Sequence, residues 1–546
     1  MLIWMPLVTL VWLSYTTYLE DQAIAFQLEN TASRIDISEI PISDFIPSLP
    51  STNVAEAGAL DIANTNTSNE ELLISVETDD LILDFGIAGD VVGASLKQFP
   101  IDKDRPDELM VLLERSEQNR YVLQTGFRAS GYSNEPTHQS RYELVSRTNN
   151  QGSWELTFRQ DGDGYTAEKI YHIPSSGFIV DFNLVMTNLS NEPHAVMPYT
   201  QIRRTYNPAG RSYLDVDSYS FWGPAWYLGE QFEKIEVNDI EQNPDDYLGL
   251  IAIDNGWVAA IQHHFLTAII PQGQSNYSVA MQGEDFILTN TLNSTEIGLN
   301  ESMTYSAALF VGPKLQSEMQ LVSPELRLAV DYGLLSFIAQ PLFWLLRWVY
   351  GFLGNWGMAI IFVTLIIKAS FYKLTAKAGM SMAKMRNVQP RLKALQERYK
   401  DDRQALSTAM MGLYKKEKIN PAAGCLPMII QMPFFFAFYW VLIESVELRQ
   451  APFFLWVDDL STRDPFFILP LINCLAMVMQ MRLQPAPADP MQARVMKIMP
   501  IVFSAMFAFF PSGLVLYWTT NALFSIVQQW RINKSIANVS LPLGGG

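Results

Sequence analysis

Between Trp356 and Tyr372 the chain runs through apolar residues with one charge among them, Lys368, about twelve residues in. At 1.5 Å per residue, an α-helix here would carry its ammonium roughly 18 Å below the outer end of a hydrocarbon core about 30 Å thick. Holding a cation at that depth costs about 2.5–3.5 kcal/mol, so it needs water, polar partners or a path to the headgroups. A lysine supplied with the first two attracts carboxylates, whereas one that snorkels to the surface does no chemistry. Thr364 stands one turn earlier on the same face.

Other apolar segments carry polar residues at helical spacing. Tyr517, Asn521, Ser525 and Gln528 make one stripe, Asn473 and Gln480 share a face, and Gln431 lies between Pro427 and Pro433. Singly such residues join helices to one another in a bilayer. Together with Lys368 they describe a hydrated cavity or groove with Lys368, Thr364, Gln431, Asn473, Tyr517 and Asn521 on its walls.

A third constellation is the basic stretch Lys373 to Lys418, with twelve Lys or Arg against four acids. Met385, Val388, Leu392, Leu395 and Tyr399 form a heptad-like seam that Leu406, Met410 and Leu413 continue beyond the polar break at 400–403. The pattern predicts a helical hairpin over 376–418. Lys384, Arg386, Arg391 and Lys393 would offer its contacts to a polyanion or an acidic partner, with no sequence-specific reading of nucleic acid.

Catalytic patterns are missing. There is no G-x-S-x-G, H-E-x-x-H or Walker-type loop, and no Cys or His cluster at metal-ligand spacing, so neither a cofactor nor a metal is expected. Asp161-Gly-Asp-Gly164 reads as a hairpin turn rather than a calcium loop. His263 and His264 are adjacent in a strand-like run and should point to opposite faces.

The elements that must position these residues divide at about residue 325. Up to there 16 Lys or Arg face 45 Asp or Glu, and beyond it 22 face 11, so an acidic part precedes a basic, apolar one. Both cysteines, Cys425 and Cys474, lie in the second part, so no disulfide framework holds the first. Residues 1–20 read as an uncleaved membrane anchor, lacking a basic start and an A-x-A cleavage site. A flexible linker over 21–70 follows, rich in Ser, Thr, Asn and Pro from Thr31 on. Short β-branched runs such as LLISVET, SWELTFRQ and FIVDFNLVMT, separated by turn residues, predict an antiparallel β-sandwich over 71–322.

Ser323-Pro324-Glu325 reads as a helix start, opening an amphipathic helix over 323–352 that lies at the membrane surface. The segment 353–535 holds five spans: Trp356–Tyr372, Cys425–Ile443, Phe466–Met481, and Ile498–Trp530 divided in two at Pro511-Ser512-Gly513. A tail over 536–546 ends the chain. The fold class is therefore a polytopic α-helical membrane protein of six spans, five in one core, plus a β-sandwich. The positive-inside pattern places both termini and the basic loops in the cytoplasm and the β-domain outside, in the periplasm of a bacterium.

The runs VTLIIKASFYKLTAKAGMSMAKMRNVQP (363–390), NPAAGCLPMIIQMPFFFAFYWVLIESVELRQAPFFLWVDDLS (420–461), DPMQARVMKIMPIVF (489–503) and FPSGLVLYWTTN (510–521) resemble the YidC membrane protein insertases, relatives of the Oxa and Alb proteins. The likeness covers roughly 325–535, and the β-domain resembles, more loosely, the large periplasmic domain of Gram-negative members. It implies an insertase and chaperone of the inner membrane, not an enzyme, whose clients are nascent membrane proteins. Membrane lipid, the Sec translocon and the ribosome are its implied partners.

The resemblance also implies a groove open to cytoplasm and lipid, with a basic residue that draws in the client. That position is usually Arg, and here it is Lys368, which keeps the charge without the bidentate fork. Thr364 and Tyr517 match substrate-contacting positions, and the hairpin matches a cytoplasmic region needed for activity. The ending SIANVSLPLGGG, with no charge after Lys534, predicts weak ribosome contact through the tail. Two other readings compete: a solute transporter, which would show an internal repeat, and a carbohydrate-processing β-domain, which would need converging carboxylates.

Overall fold

The computed structural model describes residues 46–47, 71–116, 118–207, 220–252, 255–399, 402–417, 426–483 and 490–539. The expected anchor, nearly all of the linker and residues 540–546 lie outside them.

The described residues between 72 and 313 form two antiparallel sheets of ten and nine strands. Alternation supplies the core. In Tyr165–Ile173 every second side chain is buried, so Tyr165, Ala167, Tyr171 and Ile173 meet Phe85, Leu123 and Phe127 of the other sheet. Lys169 shares that inward face and is fully buried, its ammonium held by Asp90 at 2.6 Å and by the carbonyls of Ala88 and Thr125. The hairpin before it turns at Asp163-Gly164, where Gly164 takes φ +90°, as the Asp-Gly pair foretells.

One expectation for this domain fails. His263 and His264 lie in the turn joining Trp257–Ile261 to Phe265–Pro271, not in a strand. Strand alternation does not apply in a turn, and the two rings stack with centroids 3.7 Å apart.

The expected helix start at Ser323 is likewise displaced. Ser323 makes no capping bond, and two 3₁₀ turns, Pro324–Ala329 and Gly333–Leu335, come before the helix Ser336–Leu353, which we call α1. Asp331 and Gly333, the latter at φ +64°, break the path between them. Helix α1 buries Ala339, Leu342, Phe343, Leu346 and Val349 and exposes Phe337, Trp344, Trp348 and Phe352 on the opposite side.

Among the described residues seven α-helices follow: α2 Trp356–Ser370, α3 Tyr372–Arg398, α4 Arg403–Lys416, α5 Leu426–Glu444, α6 Ile468–Arg482, α7 Pro490–Phe507 and α8 Ser512–Val539. Helix α6 begins two residues later than its apolar run because Asp464 accepts the amides of Phe466 and Leu469 and Phe467 is left-handed. The break at Pro511 falls where the turn signal put it.

Among the described residues no single helix is long and apolar enough to cross a membrane. Helix α2 with α3 as far as Ser381 passes together, bent by 63° between them, and Ile429–Glu444 and Ile468–Arg482 are shorter apolar helices. The 15 residues of α2 give a rod of about 22 Å, short of a core about 30 Å thick.

The β-sandwich grips the end of α5. The last carbonyls of a helix lack intrahelical donors, and that of Ile443 meets the Nε2 atoms of His263 and His264 at 3.0 and 2.9 Å. Next to it Glu444 pairs with Lys314 at 3.2 Å and accepts from Ser220 at 3.1 Å. A second contact joins Arg449 and Gln450 to the carbonyl of Pro100, at 2.8 and 2.9 Å.

Candidate functional site

Asn355 caps α2, accepting from the Met358 amide at 2.9 Å, and its own amide reaches the carbonyls of Pro452 and Phe453. This fixes the start of the helix against the α5–α6 connection, where Gly357 lies against the ring of Phe453 with no room for a β-carbon. Twelve residues on, Lys368 emerges on a buried face, 8% exposed, where α2 bends into α3.

Its ammonium donates to Ser525 Oγ at 2.9 Å and to Gln431 Oε1 at 3.5 Å. Gln431 in turn donates to Asn521 Oδ1 at 2.6 Å, and Ser525 to the Asn521 carbonyl at 2.7 Å. Helices α2, α5 and α8 thus each contribute to one polar cluster. Burial of the ammonium is the cost here, and among the described residues its hydrogen-bond partners are all neutral. A lysine has three donors and these two contacts use two of them. Beside the cluster Ile367, Phe371, Leu374, Thr375 and Ile430 line a recess with Lys368 and Gln431.

Lys368, Gln431 and Asn521 therefore come together. Tyr517 lies one turn of α8 before Asn521, buried against Phe435 and Phe438, with its hydroxyl near Gln431 and without a hydrogen bond among the described residues. Thr364 is buried, but its hydroxyl returns to the Ile360 carbonyl at 2.7 Å. Asn473 is not joined to the cluster. It sits on the face of α6 that carries Leu469, Pro470 and Ala476 and is fully buried, with neither amide atom hydrogen-bonded among the described residues. The residue missed as a site member is Ser525, although its place four after Asn521 in the polar stripe was the signal for it.

The basic stretch forms α3 and α4. Val388 and Leu392 are buried on the predicted seam. Lys384, Arg391 and Lys393 are exposed, and Arg391 pairs with Glu417 at 2.7 Å. The side chain of Arg386 lies outside the described residues.

An ammonium whose described partners are uncharged is chemically suited to a carboxylate. Among the described residues no group of acids, histidines or cysteines could hold a metal ion. Two family models match the chain: the YidC periplasmic domain over residues 73–345 and the 60Kd inner membrane protein over 348–539. A membrane protein insertase YidC from Pseudomonas entomophila is 40% identical over 533 residues, 94% of this chain and 93% of that protein. One from Bordetella parapertussis is 43% identical over 472 residues, covering 85% and 83%. A crystal structure of an active YidC insertase aligns at 18% identity with a TM-score of 0.38, over 83% of this chain and 91% of that one. The two domain matches and the near full-length identity place this chain in the YidC family of membrane protein insertases.

Proposed function

We propose that the chain inserts nascent inner-membrane proteins and helps them fold, that the cluster around Lys368 is where a client's polar segment is received, and that no chemical reaction is involved. The observation that carries this reading is the ammonium buried at 8% exposure, with neutral hydrogen-bond partners among the described residues. A cation so placed gains most from an arriving carboxylate, since charge attraction strengthens as water is excluded. Polar neighbours on α5 and α8 lower the cost of bringing a short hydrophilic segment partway into the bundle. Buried polar atoms of Asn473, Ser504, Thr519 and Gln528 lack partners among the described residues, which favours an interior reached by water.

The remaining parts follow the same frame. The basic hairpin lies in the cytoplasm with Lys384, Arg386, Arg391 and Lys393 toward the ribosome or client, both termini are cytoplasmic, and the β-sandwich is periplasmic. Aromatic residues exposed on α1 seat it at the outer interface. Short helices such as α2 fit a bilayer that thins around them. The Sec translocon shares some clients.

The test is insertion of short-tailed clients into proteoliposomes holding the purified protein. Lys368→Ala should slow clients with acidic tails while Lys368→Arg retains them. Unchanged insertion of every acidic client by Lys368→Ala would remove the charge from the mechanism.

A further inference from the structure

The strand Arg120–Ala129 pairs with His194–Thr205, which pairs with Asp285–Thr291, all in the ten-stranded sheet. Their inward side chains, among them Leu123, Phe127, Ile202 and Leu288, belong to the core between the sheets. By alternation Val122, Gln124, Tyr199, Gln201, Arg203 and Ile287 point the other way. They are nevertheless buried, Val122, Tyr199, Gln201 and Ile287 completely, and none belongs to the inter-sheet core. The outer face of this sheet is therefore covered.

Part of the cover is the connection after the first strand. His138 meets Tyr199 Oη at 2.7 Å through Nδ1, and Gly126 leaves no room for a β-carbon against Thr137. Another part comes from far away in sequence. Pro47 is buried, and its carbonyl accepts from Arg128 Nη1 at 2.5 Å, while Arg128 Nε holds Glu135 at the same distance. One guanidinium, on the outward side of its strand, thus fixes both the covering loop and a residue of the expected linker.

We propose that this outer face is a docking site for an extended, proline-containing peptide, that Arg128 recognises it through a backbone carbonyl, and that its resident occupant is the chain's own segment at Pro47. The sequence suits the role. Phe45-Ile-Pro-Ser-Leu-Pro50 alternates apolar residues with proline, and the residue before a proline is held extended, so little entropy is lost on docking. Over residues 35–70 the chain carries six acids and no Lys or Arg, which matches a guanidinium-bearing surface. Because the peptide is tethered in cis, its effective concentration is high and a few contacts suffice. Pinning Pro47 fixes one point of the chain ahead of the first strand, which starts at Leu72. The inference does not depend on the role given to Lys368.

The test uses the full chain in nanodiscs with Cys425→Ser and Cys474→Ser, and a nitroxide on Ser48→Cys. Its electron paramagnetic resonance spectrum should show an immobilised component that Arg128→Ala converts to a mobile one and Arg128→Lys partly retains. Should Arg128→Ala disturb the fold, judged by near-ultraviolet circular dichroism, Pro47→Asp leaves the sheet intact, sets a carboxylate near Glu135 and should free the label equally. A mobile label in the parent protein, or one still immobile in both variants, would overturn the proposal.

Discussion

Replacing Lys314 with Met at the joint between the β-sandwich and α5 tests whether that joint holds the domains together. Lys314 and Glu444 are 3% and 8% exposed and 3.2 Å apart, and of the carboxylate's partners among the described residues Ser220 would remain. Breaking a buried pair by removing one partner costs about 3–5 kcal/mol.

The readout is hydrogen exchange at the Lys314 amide, bonded to the His264 carbonyl at 2.8 Å, and at the Ser445 amide, bonded to Val441 at 3.2 Å. Protection should fall by a factor of about 10² to 10³, using 1.4 kcal/mol per tenfold. A Lys314→Met, Glu444→Leu double variant should regain most of the protection, since two well-packed apolar residues can replace a buried pair. A loss under tenfold in the single variant, or none regained in the double, would refute the reasoning.

Two other outcomes are expected. Burial pushes the Glu447 carboxyl up to about 7, with Arg347 opposing the rise, so the folded state holds its proton more tightly than the unfolded chain. That stability is full below about pH 4.5 and is lost as pH rises through 7, by up to about 3 kcal/mol at 1.36 kcal/mol per unit, and denaturant titrations of Glu447→Gln should show no such slope. Gly357→Ala would drive a methyl to 2.1 Å from the Phe453 ring, and this overpacking should cost about 1–3 kcal/mol in thermal unfolding, with Phe453→Ala restoring part of it.

Much of this was legible because it depends on local pattern. Hydropathy places α2, α5 and α6 and the break at Pro511, alternation and turn residues give the sandwich, and 3.6-residue spacing puts Asn521 and Ser525 on the face that meets Lys368. What failed depended on backbone direction at chain reversals. The histidine pair looks like strand until the turn is known, and Ser323 looks like a cap until Asp331 and Gly333 interrupt the helix. Contacts between residues far apart, such as Lys314 with Glu444 or Arg128 with Pro47, leave no periodic trace. Asn473 shows the limit of reading polarity as a shared site, since a buried polar residue on a neighbouring helix need not join the cluster.

The most direct test of the central claim is a charge exchange at residue 368. Lys368→Glu would be paired in reconstituted insertion with two forms of one client, its short tail carrying Asp or Lys at a single position. If the buried charge attracts the client, the wild type favours the acidic tail and Lys368→Glu favours the basic one, with a reversal of about tenfold or more, since each tenfold is only 1.4 kcal/mol. If both proteins keep the same preference, the charge of residue 368 does not select the client and the account of the groove is wrong.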